Sequence, residues 1–103
     1  MVSTIVLCSL QANAVEHTGT VGNILPPDSR PCLFFTITGV SQADPVTPSS
    51  NWFAIRQSQN GYKETFTLLL AAKLTGQPVT VSTTGAVVTE CGHAGILYAY
   101  YAS

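Results

Sequence analysis

Charge is the scarcest commodity in this 103-residue chain: Asp, Glu, Lys and Arg together make up 9% of it, against about 25% in an average globular protein. The four basic residues are Arg30, Arg56, Lys63 and Lys73. They are too few to neutralise a row of phosphates, so nucleic acid is not an expected partner. They are also too few for a polybasic membrane patch. No apolar run approaches the ~20 residues needed to span a bilayer, so membrane insertion is not expected. Intrinsic disorder is equally disfavoured, because the hydrophobic share is 46% and the net charge −1, whereas disordered chains combine low hydrophobicity with high charge. Motifs of the common enzymes are missing too: there is no nucleophile elbow, no phosphate-binding loop and no dinucleotide fingerprint. The five carboxylates, Glu16, Asp28, Asp44, Glu64 and Glu90, show no spacing that would hold two of them across a glycosidic bond. What is present is a Thr- and Ser-rich, β-leaning chain of one-domain length.

Cysteine is also sparse, and odd in number: Cys8, Cys32 and Cys91. Met1–Ala14 contains a short apolar stretch, Val2–Leu10, followed by Ala12-Asn13-Ala14, the small-x-small pattern at which signal peptidase cuts. No Lys or Arg precedes the apolar stretch, and the competing reading is an extra strand through Thr4–Leu7. Read as a signal segment, residues 1–14 take Cys8 with them. Cys32 and Cys91 are then left to bridge in an oxidising compartment. The expectation is a secreted or periplasmic protein whose single domain covers 15–103.

Along that domain, Val15–Leu25 reads as a strand with a bulge or bend at Gly19 or Gly22. Pro26–Pro31 is a turn by composition. Cys32–Val40 alternates, with Leu33, Phe35 and Ile37 on one face and Phe34, Thr36 and Thr38 on the other, as a half-buried antiparallel strand does. A Pro-containing loop, Ser41–Ser50, leads to a third strand at Asn51–Gln57. Tyr62–Thr75 is the one helix: Phe66, Leu69, Leu70 and Leu74 recur at helical spacing and are expected to be buried. Asn60 is the candidate N-cap, and Gly76 followed by Pro78 marks the end. Pro78–Thr84 and Ile96–Ala102 read as the last two strands, separated by a loop or short hairpin at Gly85–Gly95. In the last strand, Ile96, Tyr98 and Tyr100 are expected on one face, and Leu97, Ala99 and Tyr101 on the other. The order β-β-β-α-β-β predicts a mainly β fold with one helix, a five-stranded antiparallel barrel of the OB type. An open α+β sheet is the competitor.

Several of these features occur together: a Cys on the second strand, Trp52 at the third, a helix ending Leu69-Leu70-Ala71-Ala72-Lys73-Leu74-Thr75, then Gly76-Gln77-Pro78-Val79-Thr80-Val81, Cys91 and a terminal Ile96-x-Tyr98-x-Tyr100. In this set the chain resembles small secreted OB-fold proteins of Gram-negative bacteria. It is similar in plan to the B subunits of AB5 toxins of the subtilase-cytotoxin type. The resemblance covers about Cys32 to Tyr101. Those B subunits bind host glycans as pentamers, so the resemblance implies a glycan ligand and is compatible with a homo-oligomer. It carries no glycan-contacting residue over to this chain, and fold alone does not imply function.

Chemistry is expected from few places. Glu90-Cys91-Gly92-His93 is the densest polar cluster. With His17 it offers a set of metal-ligand types, but without the paired spacing of structural zinc, so no metal or other cofactor is expected. Cys91 with His93 is also the pair a thiol enzyme would use, in competition with the disulfide. For binding, an OB fold offers the face of its second and third strands. Phe34, Thr36, Thr38, Trp52 and Arg56 fall there, with Tyr62 as a further aromatic; the competing reading makes Trp52 half-buried. Aromatic rings with neutral hydroxyls and amides suit a sugar better than a single-stranded nucleic acid, which needs a cationic groove. The expectation is therefore a non-catalytic binding module for a glycan or an extracellular protein. A secreted hydrolase inhibitor and a Cys91–His93 thiol enzyme are the alternatives.

Overall fold

A computed structural model describes residues 14–102. Residues 1–13, which hold nearly all of the expected signal segment together with Cys8, lie outside the described residues. The chain runs β1 (Glu16–Gly19), β2 (Val21–Leu25), β3 (Cys32–Ile37), β4 (Phe53–Arg56), α1 (Tyr62–Thr75), β5 (Val79–Val88) and β6 (His93–Tyr101). The protein is mainly β with one helix, and the helix has the predicted limits.

The sheet differs from the expected five antiparallel strands. It has six, in the order β1-β5-β6-β4-β3-β2, and it is mixed. β4 and β6 run parallel through Phe53↔Ala94 and Ala54↔Gly95, while the other neighbours are antiparallel. The sixth strand arises because the expected first strand breaks at Thr20 into β1 and β2. Gly19 permits the break, since a Cβ there would sit 2.8 Å from Ile37 Cγ2 and 3.0 Å from the Thr38 carbonyl oxygen. A bulge follows between Val21 and Ile24, around Gly22. β1 and β2 therefore adjoin in the chain yet stand at opposite ends of the strand order. The Thr38 N–H donates to the Thr20 carbonyl at 2.8 Å, holding the junction against the end of β3.

The main core takes Leu33, Phe35 and Ile37 from β3, Phe53 and Ile55 from β4, Val79 and Val81 from β5, and Ile96 from β6. Phe35 and Phe53 stack with centroids 5.1 Å apart. The inward face of β3 is the one its alternation predicts. Its outward face is not solvated, however: Cys32, Phe34 and Thr36 are buried as well.

The helix presents a different stripe from the one expected. Leu69 and Ala72 are its buried residues, with Tyr62, Phe66 and Leu68 packed against the core. Leu70 is 45% exposed and Leu74 78%, so neither is core. The Leu68-Leu69-Leu70 run satisfies helical spacing on two adjoining stripes, and the small Ala72 decides which one approaches the sheet. Its N-cap is Gly61 (φ 79°) and not Asn60; a left-handed φ is a conformation glycine adopts without penalty. Gly76 ends the helix as predicted, its N–H donating to the Ala72 carbonyl.

At the far end, β5 continues to Val88 and β6 begins at His93, so much of the expected loop is a hairpin. The register shifts at Leu97: Ser82 pairs with Tyr98 but Thr83 with Ile96. This bulge breaks the expected alternation. Ile96 is buried in the core, whereas Tyr98 and Tyr100 point out of the opposite face.

Candidate functional site

Two outward surfaces carry the aromatic and polar side chains, and the disulfide shapes the first. Cys32 and Cys91 are bonded, with Cα atoms 6.0 Å apart. The bond pins the β5–β6 turn onto the outside of β3. Beneath it lies a second buried cluster, Cys32, Phe34, Ala54 and Cys91, against which Trp52 and Val88 pack. The Arg30 guanidinium carbon sits 4.4 Å from the centre of the Phe34 ring, and Arg30 Nη1 donates to the Cys91 carbonyl at 3.1 Å. The His93 ring meets Phe34 edge-on at 5.2 Å, and its Nδ1 lies 3.0 Å from Ser50 Oγ. Arg56 grips Glu90 through both carboxylate oxygens, and that bond holds the Glu90 carboxyl below its ordinary range.

The expected binding residues are therefore brought together only in part. Trp52 and Arg56 share this outer face, with Trp52 half-buried. Phe34 shares it but is enclosed by Arg30, His93 and the disulfide, so it offers no face to a ligand. Thr36 is buried with its hydroxyl spent on the Asn23 N–H of the β2 bulge. Thr38 is exposed beyond the end of β3. Tyr62 is elsewhere, on α1 against the main core, where burial raises its hydroxyl pKa. With Cys91 in the disulfide, the Cys91–His93 pair has no thiol to use. His17 and His93 do not converge: His17 Nε2 faces the Ala43 carbonyl at 2.9 Å. No group of three potential metal ligands occurs among the described residues, and no helix among them is long and apolar enough to cross a membrane.

Burial, and next the charge of Arg30, push the His93 pKa below its ordinary value. The folded state thus favours neutral His93. Its contribution to stability is complete above the unfolded pKa of about 6.5 and is lost as pH falls through that value towards the lower folded one. The urea midpoint should fall between about pH 7.5 and pH 5.5, and His93→Gln should reduce that fall.

The second surface is the outside of β1, β5 and β6, and the sequence reading missed it because Leu97 shifts the alternation. Glu16 pairs with Ser82 and Ser82 with Tyr98; Thr18 pairs with Thr80 and Thr80 with Tyr100. Two rows result, each running from a polar residue through a small hydroxyl to a tyrosine. The Tyr98 hydroxyl donates to Glu16 Oε2 at 3.0 Å. That bond reaches from β6 to β1, so the ring lies across β5 over Ser82. Tyr100 stands at 71° to it, with centroids 5.9 Å apart. The rings are 45% and 48% exposed, and together they bound an open corner. Beside it, the Thr18 and Thr80 hydroxyls are 2.8 Å apart. The one signal in the sequence was the Tyr98-x-Tyr100 spacing itself, which places both rings on one face wherever that face points.

Comparison of the chain with protein-family models, curated proteins and solved structures gives no match.

Proposed function

We propose that this chain is a secreted or periplasmic, non-catalytic binding module of the OB type, and that its ligand is a neutral glycan held at the Tyr98–Tyr100 corner. The barrel reading draws on the strand order. Its two outermost strands are separated in the chain only by Thr20, which supports a sheet that curls towards closure, and α1 is inserted between β4 and β5 in the chain. Export draws on the A-x-A pattern ending at Ala14 and on the disulfide, which persists in oxidising compartments. The similarity in plan to toxin B subunits agrees with a glycan ligand.

The single observation that carries the ligand class is the chemistry of the corner. Two half-exposed rings present flat π faces to the C–H groups of a sugar. Glu16 retains acceptor capacity beyond the bond from Tyr98, and the flanking Thr18 adds a hydroxyl. No Lys or Arg side chain among the described residues makes a hydrogen bond, ion pair or cation–π contact with Glu16, Tyr98 or Tyr100.

An array of neutral oligosaccharides tests the proposal. An aromatic contact contributes about 0.5–1.5 kcal/mol, and 1.4 kcal/mol is tenfold in affinity. Tyr98→Ala/Tyr100→Ala should weaken the best ligand by about tenfold or more with the melting temperature little changed. Binding that survives this change but is lost in Trp52→Ala moves the site to the β3–β4 face. A protein that captures no sugar and instead binds a hydrolase replaces the glycan reading with the inhibitor one.

A further inference from the structure

Asp44 is fully buried, and the only ion pair among the described residues joins Arg56 and Glu90 on the surface. Asp44 sits in the β3–β4 connection, which is tied down around it. Val46 N–H donates to Asp44 Oδ1 at 2.9 Å, Thr47 N–H to the Asp44 carbonyl at 2.8 Å and Ala43 N–H to the Ser50 carbonyl at 2.9 Å. Asp44 Oδ2 accepts the hydroxyl of Thr83 at 2.5 Å, and Thr83 is itself fully buried. The same Thr83 oxygen accepts the backbone N–H of Val15 at 3.0 Å, while Thr83 N–H returns a bond to the Val15 carbonyl at 2.9 Å. The result is a directed relay in which the Val15 nitrogen donates to the Thr83 hydroxyl and that hydroxyl donates to the Asp44 carboxylate.

A carboxylate taken out of water without a cation is costly, and this chain has few charges to spend inside. The head of the relay, however, is the nitrogen that follows Ala12-Asn13-Ala14. We infer that the Thr83–Asp44 pair is a receptor for the α-ammonium group that cleavage between Ala14 and Val15 creates at residue 15; the inference rests on reading residues 1–14 as a signal segment. In that hydrolysis the Ala14–Val15 amide bond breaks, the water oxygen joins the Ala14 carbonyl carbon, and the departing nitrogen gains its proton. At neutral pH that amine takes up a further proton, its ordinary pKa being about 8. The positive charge arises two hydrogen bonds from the buried carboxylate. Ala14 is exposed whereas Val15 is half-buried, so the scissile bond joins an exposed residue to one held against the fold. Processing thus completes a charge pair that the unprocessed chain lacks.

Mass spectrometry of the exported protein tests the cleavage, and a chain beginning at any residue other than Val15 overturns that part whatever the stability data give. The receptor is tested separately on recombinant domains with the disulfide formed: one starting at Val15 with a free amine, one starting at N-acetylated Val15, and one starting at Ala14. The free Val15 form should melt at least about 5 °C above the other two, given that a small domain shifts by several degrees per kcal/mol. In Asp44→Asn the gap between free and acetylated forms should close to about 1 °C or less. Equal melting temperatures in the wild type, or an undiminished gap in Asp44→Asn, overturn the receptor. If Asp44→Asn does not fold, an NMR titration of the Val15 amine in the wild-type domain decides instead. A midpoint raised above about 8 supports the pairing, and one at or below that value overturns it.

Discussion

Replacing both bonded cysteines, as in Cys32→Ala/Cys91→Ala, should lower the stability of the domain by about 4 kcal/mol. The two residues are 59 apart in sequence, and closing a loop of that length removes about that much free energy of disorder from the unfolded chain. Against a total of roughly 5–15 kcal/mol for a domain of this size, the loss leaves little. The native structure also suffers. The bond holds the β5–β6 turn over Phe34, and without it the turn keeps the Arg30 bond to the Cys91 carbonyl, the Arg56–Glu90 pair and the contacts of His93 with Phe34 and Ser50. Of these, the Arg56–Glu90 pair is a surface interaction of small net effect, and the remaining contacts are single and non-covalent. Urea unfolding followed by circular dichroism, with and without a strong reductant, measures the effect in the unaltered protein. A midpoint unmoved by reduction contradicts it.

Leu69→Ala should cost about 2–5 kcal/mol, the range for emptying a fully buried leucine site, whereas Leu70→Ala next to it should stay within about 0.5 kcal/mol. Leu69 faces the sheet between Phe66 and Ala72, in the space α1 closes. Leu70 points away and is roughly half exposed. The comparison is internal to one helix turn, so helix propensity cancels: the same residue type is changed to the same residue type at adjacent positions. Unfolding midpoints of the two variants decide it: a larger loss for Leu70→Ala than for Leu69→Ala would put the buried stripe through Leu70 and Leu74, and equal losses would contradict the assignment of Leu69 alone to the core.

These two sites also mark where the sequence could be read and where it could not. The C-terminal limit of α1 was legible because Gly76 and Pro78 leave the backbone no way to continue the helix, whereas its cap at the other end is Gly61 and not Asn60. The orientation of α1 was not legible, since three consecutive leucines fit two stripes and only the close approach allowed by Ala72 selects between them. The inward face of β3 was legible from strict alternation. Its outward burial was not, because the cover comes from a turn more than 50 residues away, pinned by Cys91. The parallel pairing of β4 with β6 joins Phe53 to Ala94, and no local pattern encodes a partner at that distance. The tyrosine surface was hidden by one residue. Leu97 occupies the bulge and reverses which side of the sheet its neighbours take, so rings assigned beside Ile96 stand on the other face. Trp52 and Arg56 share one surface, but Phe34 beside them is sealed by interactions that no spacing predicts.

The most direct test of the account is an NMR titration of the ¹⁵N-labelled domain, disulfide intact, with neutral oligosaccharides. The account predicts saturable shifts confined to Glu16, Thr18, Thr80, Ser82, Tyr98 and Tyr100. Shifts centred on Trp52, Arg30 and His93, or no shifts at millimolar sugar, would contradict it.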